Sequence, residues 1–80
     1  MVSAAFDDLG SRIVAALGEP ASRELLGVLA SRDDAGRAAL IGRLYQRDDT
    51  TWLAELLMDI ESDPDDITRM QIIEALLRTL

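Results

Sequence analysis

The apolar positions of this chain recur at helical spacing, and strand-like alternation is absent. A five-residue unit of two aliphatics, two variable positions and one aliphatic occurs five times. Its copies are Ile13-Val14-Ala15-Ala16-Leu17, Leu25-Leu26-Gly27-Val28-Leu29, Leu40-Ile41-Gly42-Arg43-Leu44, Leu56-Leu57-Met58-Asp59-Ile60 and Ile72-Ile73-Glu74-Ala75-Leu76. They are offset by 12, 15, 16 and 16 residues, which is room for one short helix and a tight turn each time. The second and third copies extend to a ten-residue match, identical at six positions, between Leu25–Asp34 and Leu40–Asp49. Two helices solving one packing problem explain this better than an ancient duplication does, and the unit is too short for the known solenoid repeats.

Each copy predicts a helix with its own start and stop signals. Helix one spans Ala4 to Leu17, with Ser3 as its cap, Phe6, Leu9, Ile13 and Leu17 on one face, and Gly18 as a left-handed stop. Pro20 opens helix two, which runs to Ser31. Asp33 or Asp34 caps helix three, which runs to Arg47 with Leu40, Ile41, Leu44 and Tyr45 inward. Asp48, Asp49, Thr50 and Thr51 crowd the start of helix four, which ends near Glu61. Its stripe of Trp52, Leu53, Leu56, Leu57 and Ile60 is the broadest in the chain, so it is expected at the centre with Trp52 and Leu56 buried. Asp63-Pro64-Asp65-Asp66 opens helix five with Pro64 at the first helical position. That helix places Met70, Ile73, Leu77 and Leu80 inward, widened by Ile72 and Leu76. Gly27 and Gly42 sit at equivalent places, where glycine costs ~0.5–1 kcal/mol relative to alanine. They mark either a close helix–helix approach or two tolerated weak positions. The fold class is all-α: a compact antiparallel bundle of five short helices, or six, forming one domain over residues 1–80.

Composition narrows the chemistry. Cysteine and histidine are both absent, which removes disulfides, thiol nucleophiles, the usual zinc ligands and the commonest general base. Carboxylates at helix ends, with one Trp, one Tyr and one Phe in the chain, imply no aromatic-lined cleft. The run Asp59-x-Glu61-x-Asp63-x-Asp65 alternates like a calcium loop but has Pro64 where the turn wants glycine and Met70 where a bidentate glutamate is needed. Helix capping accounts for the same residues. The expectation is a non-enzymatic protein with no catalytic, cofactor-binding or metal residues and no small-molecule substrate. Asp7 and Asp8 stand where a signal peptide would be basic and then apolar, and no stretch approaches ~20 apolar residues. A cytoplasmic protein with no membrane partner is expected.

Net charge is −7, and every basic residue is arginine, as in proteins of GC-rich genomes. Residues 19–47 carry +1 and residues 48–66 carry −8. A helix-turn-helix built from helices two and three would be repelled from phosphate by that acidic segment, so nucleic acid is not an expected partner. The layout suggests two opposed faces. The acidic one comprises Asp48, Asp49, Asp63, Asp65 and Asp66; the basic one comprises Arg32, Arg37, Arg43 and Arg47. On different helices, they are expected not all to satisfy each other within one chain, so that some of the pairing is made with a protein partner or a second copy. The competing expectation is a small acidic inhibitor or antitoxin-like protein, with residues 48–66 covering a basic surface of one target.

The stretches Leu40–Asp49, Trp52–Asp63 and Ile67–Leu80, in a short all-helical chain of opposed charge, resemble the prokaryotic death-like or effector-associated adaptor domains. The resemblance covers the whole chain in size, helix count and charge layout. It implies an antiparallel bundle that recruits or oligomerises effector proteins in bacterial defence, commonly at the N-terminus of a protease or NTPase.

Overall fold

Five α-helices and one 3-10 turn carry the described residues, 8–80 of a computed structural model. They are α1 (Leu9–Leu17), α2 (Glu19–Ser31), α3 (Asp34–Leu44), the 3-10 turn Asp48–Thr50, α4 (Thr51–Ser62) and α5 (Ile67–Thr79). The expected all-α bundle is what forms. The start assigned to helix one, with its Ser3 cap and Phe6, lies outside the described residues.

The breaks between helices follow from individual side chains. Gly18 alone joins α1 to α2, with φ 84° and ψ 163°. This is not the left-handed helical stop expected, but an extended conformation at positive φ that is open essentially to glycine alone. Its N–H donates to Val14 O at 2.8 Å, and its carbonyl accepts from the Ser22 hydroxyl at 2.8 Å. Asp33 caps α3 as expected, its carboxylate accepting from Gly36 N–H at 2.9 Å. That helix ends at Leu44, short of Arg47, because hydroxyls claim the carbonyls beyond it: Thr50 Oγ1 donates to Leu44 O at 2.7 Å and Thr51 Oγ1 to Arg47 O at 3.1 Å. The threonines therefore fold the connection and do not cap α4. Pro64 is not helical either. Asp63 turns the chain by accepting from the N–H of Asp65 at 3.1 Å and of Thr68 at 2.8 Å, and α5 begins at Ile67.

The core is formed by Leu9 and Ile13 of α1, Leu25 and Leu29 of α2, Leu40 and Leu44 of α3, Leu53, Ala54 and Leu57 of α4, and Ile72, Ala75 and Leu76 of α5. In α4 the centre of the broad stripe is Leu53 and Leu57, while Trp52 and Leu56 are half-buried at its edges. Trp52 instead anchors a corner: its Nε1 donates to Asp49 O at 2.9 Å, and the Arg12 guanidinium lies 4.3 Å from the ring centre. Nor is α4 the central element. Helix α5 packs chiefly on α1, α2 and α4, whereas α4 packs on α3, α5 and the 3-10 turn.

The rotation of α5 was the least legible feature. Its inward residues are Ile72, Ala75 and Leu76, with Met70 and Leu77 facing out at 46% and 62% exposure. The cause sits on α1. Gly10 lies so close to α5 that a Cβ there would collide with the Ala75 carbonyl and the Thr79 hydroxyl. A close approach at glycine exists, then, but at Gly10; Gly27 and Gly42 face open space.

Candidate functional site

Where α2 and α4 end and α3 and α5 begin, the chain leaves a polar cleft of about 710 Å³. Arg32, Arg37 and Arg69 enter it alongside Asp33, Asp34, Glu61, Asp63 and Asp66. Arg69 Nε and Nη2 clamp the Asp66 carboxylate at 2.6–3.0 Å, and its Nη1 donates to Leu29 O at 2.9 Å. Arg32 reaches the same carboxylate at 2.7 Å from the end of α2. Arg37 pairs with Glu61 at 2.9 Å and with Asp34 at 3.4 Å. Both Arg37 and Arg69 have side chains about nine-tenths buried, at 10% and 11% exposure.

The titration of the cleft follows from these bonds. Asp66 is held below its ordinary value of 3.8, chiefly by the Arg69 hydrogen bonds, with desolvation opposing and the Arg32 charge assisting. Asp63 is lowered mainly by the Thr68 N–H it accepts, with desolvation again opposing. Arg32 and Asp66 are the two non-glycine residues at positive φ among those described, at 55° and 61°. Each stands at a helix end, and their ion pair ties the two ends together.

The remaining residues of the two expected faces lie elsewhere. Arg47 folds onto Asp49 at 2.7 Å, and Arg43 crosses to Glu24 at 2.7 Å. Both arginines border a shallow hollow with Leu17, Ala21 and Thr50. Asp48 and Asp65 are exposed and without an ion-pair partner among the described residues. The two faces expected to be separate are thus interleaved: Arg32 meets Asp66, and Arg47 meets Asp49, inside one chain. Two of the pairings expected between copies are therefore made within the chain, because the turn before α5 brings Asp66 back to the end of α2 and Arg47 stands two residues from Asp49, while Asp48 and Asp65 are left over.

The surface that results is acidic in effect. Arg12, Arg23, Arg32, Arg37, Arg43, Arg47 and Arg69 all have intrachain partners, and Arg78 is engaged as well. Asp48, Glu55, Asp59, Asp65 and Glu74 are exposed without an ion pair among the described residues. Apolar groups reach the same surface: Tyr45 and Met58 side by side, with the Tyr45 hydroxyl 3.1 Å from the Met58 sulfur, and Ile67, Met70 and Leu77 along α5.

Sequence reasoning missed Arg69 and Glu61 as pairing residues and the outward stripe of α5. An Asp66–Arg69 spacing of i, i+3 was the available signal for the first; the stripe had none, since the packing of α1 decides it. Among the described residues no group of three acidic, histidine or cysteine side chains is placed to hold a metal. No helix among them is long and apolar enough to cross a membrane. No protein-family model matches the chain, and neither does any curated protein or solved structure.

Proposed function

We propose that this chain is a non-enzymatic protein-interaction domain, an adaptor or recruitment module, that offers an acidic surface to a basic protein. The observation that carries this reading is the one-sided use of charge. The arginines are engaged within the chain, while Asp48, Glu55, Asp59, Asp65 and Glu74 face solvent without an ion pair among the described residues. A contact between the acidic and basic sets of two copies is weakened for the same reason: Arg32, Arg37, Arg43 and Arg47 would first have to leave carboxylates they already hold. A compact all-α bundle similar in size to the death-like adaptor domains supports a recruiting role in bacterial defence.

The test is retention of proteins from the source cell on the immobilised domain. Basic proteins should be retained at low salt and released by salt, as screened charge contacts are. Neutralising Asp48, Glu55, Asp59, Asp65 and Glu74 to Asn or Gln should abolish retention, and Arg43→Gln should not. Retention indifferent to the five neutralisations, or lost with Arg43→Gln, would contradict the reading. The acidic-inhibitor alternative draws on the same observation; stoichiometric loss of one target's activity would favour it.

A further inference from the structure

On the outward side of α5, opposite Ile72, Ala75 and Leu76, the residues Ile67, Met70, Glu74 and Leu77 recur at i, i+3, i+7 and i+10. Exposure of the three apolar members is 51%, 46% and 62%. This is the spacing by which one helix receives another along its length. Half-buried Ile73 and Leu80, packed against the core, broaden the stripe on one side.

Charge decides the occupant. Glu74 stands in the middle of the stripe, exposed and without an ion pair among the described residues, and Asp65 has the same character just before the helix starts. Helix α4, in contact with α5, adds Glu55 and Asp59 on its exposed side. A second copy brings the same acids and a further −7 of charge, and the arginines of its α5, Arg69 and Arg78, are already engaged. An amphipathic helix with aliphatic residues on one face and arginine or lysine beside them matches both features. We infer that the outer face of α5 is the docking surface for a basic amphipathic helix of a partner protein. Leu77 and Met70 are its apolar anchors, and Glu74 is its charge-reading residue. This rests on the acidic-surface reading above. One helix face is small against the ~1,200 Å² of a stable interface, so the contact belongs to the weak, reversible class.

Methionines provide the measurement. Met70 lies on the proposed face and Met58 on the exposed side of α4 beside Tyr45. The chain labelled with ¹³C-methyl methionine is titrated with a synthetic helical peptide carrying leucines at i, i+3, i+7 and i+10 flanked by arginines. The control peptide has glutamate in place of arginine. The Met70 methyl should shift saturably with the arginine peptide alone while Met58 stays still. Leu77→Asp and Glu74→Lys should each weaken the affinity by about tenfold or more, the loss typical of an interface anchor. Arg43→Gln should leave it within about twofold. Unchanged Met58 chemical shifts in the free variants establish that they are folded. If the peptide binds but moves Met58 and not Met70, the docking face is wrong and the acidic-surface reading survives. If Met70 shifts with protein concentration alone, the occupant is a second copy and the inference fails. If the arginine peptide does not bind at low salt, both readings fall.

Discussion

Glycine shows most plainly how a single residue's role depends on what lies opposite. Gly10 has the Ala75 carbonyl and the Thr79 hydroxyl where its Cβ would be. Gly10→Ala should therefore destabilise by ~1–3 kcal/mol, the usual cost of overpacking. Gly27 and Gly42 sit in helix interiors with nothing within 4 Å of that position. Alanine at either should stabilise by ~0.5–1 kcal/mol, through propensity and a stiffer unfolded chain. Urea midpoints of the three variants check both signs together. The sequence marks all three positions alike, because a pattern of residue types carries no information on the neighbouring helix. Thr50 is another such case: it reads as a cap, yet it is fully buried and its hydroxyl serves Leu44 O. Thr50→Val should cost ~1 kcal/mol by leaving that carbonyl only the long bond from the Arg47 N–H at 3.4 Å, and Thr50→Ser should recover most of it.

Among the elements, helix number, order and most boundaries were legible because 3.6-residue periodicity and capping residues are local. Which face turns inward was legible only where one stripe dominates. In α4 the stripe is wide, and its centre falls on Leu53 and Leu57, both at 0% exposure, not on Trp52 and Leu56. Leu57→Ala should accordingly cost ~2–5 kcal/mol and Leu56→Ala less than half as much, measured by denaturation. In α5 two stripes compete, and the seat beside Gly10 selects the one containing Ala75. The turn before α5 carries a pH dependence whose sign is fixed. Asp63 and Asp66 are both lowered from 3.8 in the folded chain, so the unfolded state binds more protons in that range. Their stabilisation is complete above the ordinary carboxylate value and is lost as pH falls below it through the lowered values. Asp66→Asn should flatten the fall in stability between about pH 5 and pH 2. An unchanged slope would show that the Arg69 and Arg32 contacts do not persist in solution.

At the scale of the whole molecule, net charge and the absence of Cys and His could be read directly. The location of usable charge could not. Counting residues assigns Arg32, Arg37, Arg43 and Arg47 to one face, whereas folding gives them to Asp66, Glu61, Glu24 and Asp49 in turn. Exposed pairs such as Arg43–Glu24 and Arg47–Asp49 are individually worth ~0–1 kcal/mol. Even so, each pair has to be given up before its arginine can meet another copy's acid, and the exposed charges without a partner among the described residues are acids, beside an apolar stripe along α5. Sedimentation velocity across a wide concentration range, at about 20 mM salt where exposed charges are least screened, tests this most directly. The expected result is a monomer throughout. Oligomers that grow with concentration at low salt, dissolve when salt is added, and disappear in the double variant Arg43→Glu, Arg47→Glu would contradict it.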